Sequence, residues 1–99
     1  MKVEKIEAAD NCAMLQLESA RGMANVIAAG LSKGELSKDT AIDLFGEVYV
    51  MMACAYDQRI SLILALKMNP KPLENSKRKE LSDFSFEVYR LTGENLIRR

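Results

Sequence analysis

An all-α fold is predicted for this chain: a long antiparallel helical hairpin followed by a shorter C-terminal helix. Three observations predict it. Two long apolar runs repeat at three- and four-residue steps, the period of an α-helix. Between them, Gly30-Leu31-Ser32-Lys33-Gly34-Glu35-Leu36-Ser37 holds a helix stop, a turn and a helix start. Beyond them, Asn69-Pro70-Lys71-Pro72 makes a second break, because a proline disfavours helix in the residue before it.

Helix 1 is expected over about residues 6–33. Its stripe is Ile6, Ala13, Leu17, Ala20, Ala24, Ile27 and Leu31. Alanine dominates the middle, so a partner helix can approach closely there. Gly22 costs about 1 kcal/mol relative to alanine inside a helix, and its missing side chain would let a neighbour sit near the backbone. Gly34 suits the left-handed C-cap.

Helix 2 is expected over about 38–68. Ser37 is a good N-cap, Asp39 falls in the first turn, and Leu36 and Ala41 have the spacing of a hydrophobic staple. The main stripe is Ala41, Phe45, Val48, Met52, Ala55, Leu62 and Leu66. Folding the hairpin about Gly34 brings Leu17 near Met52, Ala20 near Val48 and Ala24 near Phe45. Small residues then face large ones, as interdigitated packing requires. A proline-containing linker is expected over 69–75 and helix 3 over about 76–91, with Leu81, Phe84, Val88 and Leu91 on one face. Residues 92–99 form a tail after Thr92-Gly93, and the whole chain reads as one helical domain.

Acids and bases balance at 14 each, which gives the molecule no overall pull toward polyanions. The two parts differ in sign. Residues 1–47 carry five bases and eight acids, and residues 48–99 carry nine bases and six acids. Histidine is absent, which removes the usual general base near neutral pH and the commonest transition-metal ligand. Cys12 and Cys54 lie inside apolar runs and are expected to be buried structural thiols. The start, Met1-Lys2-Val3-Glu4-Lys5-Ile6-Glu7, mixes charges and lacks an apolar signal region, so a cytoplasmic location is expected. Asp57, Gln58 and Arg59 interrupt the apolar Val48–Met68 stretch. Each charge near a bilayer centre costs about 2.5–3.5 kcal/mol, so no membrane span is expected.

No catalytic, cofactor or metal signature stands out. Helix 2 is apolar on more than one side, which one partner helix cannot cover. Phe86 and Tyr89 point away from the stripe of helix 3. The function expected is therefore a small non-enzymatic interaction or regulatory module. It acts as a homo-oligomer, most simply a homodimer, with another protein as a further candidate partner. Met51, Arg59, Ile60, Ile63, Phe86 and Tyr89 are the candidate interface, with Arg59 a candidate register-setting polar residue. Tyr49 and Tyr56 read as packing residues. A second reading is a nucleic-acid-binding regulator using Lys67, Lys71, Lys77, Arg78 and Lys79 to neutralise phosphates, with Arg90, Arg98 and Arg99 adding to that end. A third is a metal-dependent all-α enzyme. It would use the acidic rows Asp39/Asp43/Glu47 and Glu80/Asp83/Glu87, since hard cations take several carboxylate oxygens.

Overall fold

The structure, a computed structural model, describes residues 3–96. Three helices account for nearly all of them: α1 (Val3–Ser32), α2 (Lys38–Ala65) and α3 (Lys71–Thr92). No strand occurs among the described residues. α1 packs along α2, and α3 packs on α2. The molecule is a slab of 48 × 22 × 16 Å with α2 at its centre.

The α1–α2 turn forms as the residues require. Gly34 takes φ +74°. The Glu35 and Leu36 amides donate to the Gly30 carbonyl, and Gly34 donates to Leu31. This left-handed cap satisfies the carbonyls that the helix end leaves open. Ser37 then caps α2, its side-chain oxygen accepting from the Thr40 amide at 3.2 Å. Close backbone approach occurs at Gly30, not at Gly22. A Cβ on Gly30 would meet the Leu36 side chain at 3.0 Å, whereas nothing lies within 4 Å of one built on Gly22. The expected neighbour of Gly22 is therefore absent, because Gly22 is turned outward from the α1–α2 contact. Gly22→Ala is expected to raise the stability of the isolated fold by about 0.5–1 kcal/mol. Chemical denaturation of both forms checks this, and a loss of stability would contradict it.

The second break is shorter than expected, and α3 longer. α2 ends at Ala65, and Lys67 adopts a left-handed φ of +58°. Its amide donates to Leu64, and the Met68 amide donates to Ile63. This is the same capping scheme as at Gly34, achieved without glycine. α3 then starts at Lys71, five residues before the expected Ser76. Pro72 lies in the first turn, where no intrahelical N–H is needed and its fixed φ suits a helix. The Asn69 side chain accepts from the Lys71 amide. The two prolines thus separate the helices without extending the linker to residue 75. Gly93, at φ +78°, closes α3 by donating to the Tyr89 carbonyl.

The core is one cluster drawn from all three helices. It holds Leu17, Ala20 and Ile27 of α1, Ala41, Phe45, Val48, Met52, Ala55 and Tyr56 of α2, and Leu81 and Val88 of α3. Ala24, Phe84 and Leu91 pack against it. Phe45 and Phe84 meet edge to face with ring centres 5.8 Å apart, a favoured aromatic geometry. Asp10 and Arg59 join α1 to α2 through a 2.8 Å hydrogen bond from Nε to Oδ1. That pair lies on the same hairpin register that sets Leu17 against Met52 and Ala24 against Phe45.

Candidate functional site

The polar groups nearest the core form one network across the three helices. Arg21 of α1 donates from Nε and Nη2 to the two carboxylate oxygens of Glu80 on α3, at 2.7 and 2.6 Å. Tyr56 of α2 donates its hydroxyl to Glu80 Oε1 at 2.6 Å. The Arg21 hydrogen bonds, and then that of Tyr56, hold the Glu80 carboxyl below its usual value, while partial burial opposes them. Burial first, and then the neighbouring carboxylate, push the Tyr56 phenol up. Arg21 is held still more firmly protonated by its bonds to Glu80. Every partner is satisfied, and the network ties helices together. Nothing in it resembles a nucleophile beside a base. Its members stand up to 59 residues apart, and no spacing in the sequence signals the contact.

Among the described residues, no group of three histidine, cysteine, aspartate or glutamate side chains is placed to hold an ion. Glu80 is engaged by Arg21 and Tyr56, and Glu87 pairs with Arg90 three residues on.

The six candidate interface residues do not gather on one surface. Met51 shares a shallow hollow of about 290 Å³ with Gln16, Val50 and Cys54, on the α1–α2 face. Arg59 is half-buried and engaged by Asp10 within the chain. Ile60 lines a cleft of about 550 Å³ between α2 and α3 with Tyr49, Asp57, Lys77, Arg78 and Leu81. Ile63 is half-buried near the end of α2. Phe86 and Tyr89 stand out from α3, 69% and 54% exposed. Cys12 and Cys54 are exposed, which corrects the expectation of buried thiols. Each sits one residue off its helix's buried stripe, beside Ala13 and Ala55, and the hairpin covers only the stripe itself.

In the basic group, Lys77 pairs with Asp57 at 2.6 Å. The side chains of Lys67, Lys71, Arg78 and Lys79 have no ion pair among the described residues. Arg98 and Arg99 lie outside the described residues. By length and composition α2 is the one described helix that could cross a membrane. It also supplies seven buried residues to the fold and bonds to both neighbouring helices through Arg59, Tyr56 and Asp57.

These features define the class: a three-helix all-α scaffold that leaves apolar side chains such as Val50, Phe86 and Tyr89 exposed. Compared with known proteins, the chain matches no family model, no curated protein and no solved structure.

Proposed function

We propose that this protein is a non-enzymatic helical interaction module that works as a homodimer in a cytosolic setting, with a second copy covering the α1–α2 face. The observation that carries this reading is apolar side chains left in solvent on the α1–α2 hairpin, where Met23 is 43% and Val50 59% exposed.

The location follows from the helical period. Leu44, Met51 and Leu62 lie on the flank of α2 turned away from Phe45, Tyr56 and Asp57, which face α3. Cys54 adjoins them, as does Val50, 59% exposed, on the side toward Asp57, and Cys12 and Met23 continue the surface on α1. These seven are uncharged, and exposed Glu47 lies beside Leu44, Met51 and Cys54. Exposed apolar patches of this kind mark interaction sites, and two-fold homodimers are the commonest way soluble proteins cover them. Two hairpins joined here close a four-helix bundle. Phe86 and Tyr89, on α3, lie outside this surface.

Met51→Glu tests the reading. A carboxylate on this face cannot be desolvated without a partner. The variant is expected to elute at the monomer mass by size exclusion with light scattering, while the parent elutes at twice the 11.1 kDa chain mass. Identical masses for the two would remove the α1–α2 face from the account.

A further inference from the structure

We propose that the outward face of α3 binds single-stranded nucleic acid, with a base in the hollow beside Phe86 and Tyr89 and the phosphates on Arg78 and Lys79. The hollow measures about 300 Å³ and is lined by Ser82, Ser85, Phe86, Tyr89 and Asn95. Two of its walls are aromatic rings that the fold leaves in solvent. The third feature is a hydroxyl. Ser85 is only 7% exposed, and its Oγ is buried with no hydrogen-bond partner. Buried polar groups are nearly always paired; this hydroxyl lies beneath the hollow, closed to solvent and without a partner in the protein. A nucleobase supplies what the two exposed rings lack, a flat face to stack on.

The charge pattern selects the same ligand. Lys71, Asn75, Arg78, Ser82, Phe86 and Tyr89 follow at three- and four-residue steps, and therefore share one face of α3. That face carries cations at one end, aromatics at the other and no acid between them. Glu80 and Glu87 belong to the opposite flank, while Asp83, four residues after Lys79 and three before Phe86, and Glu74, four before Arg78, border the face. Arg78 and Lys79 have no intrachain ion pair among the described residues. Lys71, at the first position of α3, adds its charge to the positive end of the helix dipole instead of opposing it. Arg78 and Phe86 are separated by about 12 Å along the helix, so one extended strand reaches both.

Single strands fit better than duplex, because in a duplex the base faces are stacked away from the rings. An anionic membrane fits less well. A helix lying on a bilayer keeps cations and apolar residues on opposite faces along its length, whereas here both occupy one face, with Ser82 between them.

The test is fluorescence anisotropy of a labelled oligothymidylate with the full chain, at low and raised salt, beside a duplex of equal length. Binding that weakens with salt and favours the single strand is expected. Phe86→Ala with Tyr89→Ala should weaken it by about tenfold or more while keeping its salt dependence. Arg78→Glu with Lys79→Glu should weaken binding and flatten that dependence. All four positions are exposed, and circular dichroism confirms that the variants fold. Three results would each overturn the proposal: no binding at low salt, equal affinity for duplex, or an aromatic variant that binds as the parent does. So would binding to phosphatidylserine vesicles without binding to the oligonucleotide. The dimer reading stands or falls separately, on mass.

Discussion

Phe45→Ala is expected to destabilise the fold by about 3–5 kcal/mol, the range for emptying a buried phenylalanine site. Phe45 is 2% exposed and belongs to the one core cluster that all three helices share. Its ring meets that of Phe84 edge to face, so the substitution removes an aromatic contact as well as buried area. It also lines the cleft between α1 and α3, beside Ala24, Met52, Phe84 and Val88. Alanine would open that cleft into the core. A chain of this length has a total stability of about 5–15 kcal/mol, so the loss is a large share of the whole. Thermal melting should fall by more than about 12 °C. Phe86→Ala, on the outward face of α3, should change stability by no more than about 0.5 kcal/mol. Comparable melts for the two variants would contradict this account of the core.

The second large effect is expected at Glu80. Glu80→Ala removes the acceptor of the Tyr56 hydroxyl and of Arg21 together. The Tyr56 bond carries the larger share. Tyr56 is 5% exposed, and its hydroxyl would be left without its charged acceptor, whereas the Arg21 side chain is 49% exposed and screened by water. A loss of about 1.5–3 kcal/mol is expected, as for a hydrogen bond to a charged group.

The effect depends on pH with a definite sign. Glu80 is held below its ordinary value of 4.5, chiefly by the Arg21 hydrogen bonds. Its contribution is therefore complete above that value and is lost as pH falls through the lower, folded-state value. Tyr56 is raised above its ordinary value of 10.0, chiefly by burial. Its contribution is complete below that value and is lost as pH rises through the folded-state value. The stability difference between the parent and Glu80→Ala should be flat between these limits and shrink toward acid. Denaturant titrations across pH measure it. A difference that grew on acidification would contradict the network.

Much of the fold was legible in the residues. The Ile6–Leu31 stripe, the Ala41–Ala55 part of the second stripe, the Gly34 cap and the Ser37 cap are local features, and local features carry the hairpin; Leu62 and Leu66, expected in that stripe, lie outside the core, Leu66 39% exposed beyond the end of α2. The register was legible too: folding about Gly34 sets Leu17 near Met52, Ala20 near Val48 and Ala24 near Phe45, and the Asp10–Arg59 bond falls on it. Other features depend on contacts between distant residues. The Arg21–Glu80–Tyr56 network has no local signal, since it exists only after α3 has docked. The early start of α3 was hidden because Pro72 reads as a breaker unless its place in the first turn is known. Cys12 and Cys54 were misread for a related reason. An apolar neighbourhood along the chain does not show which side of a helix its partner covers. The basic cluster was visible in the sequence without an aromatic complement. Arg78, Phe86 and Tyr89 all fall within the helix expected over 76–91, and the observed start at Lys71 adds Lys71 and Asn75 to the same face.

The central claim is that the hairpin is incomplete alone and that a second copy covers its α1–α2 face. Sedimentation equilibrium of the unmodified chain across a concentration series tests this most directly. The account predicts a single species at twice the 11.1 kDa chain mass at micromolar concentration, dissociating only on dilution. A monomer mass throughout the series would contradict it.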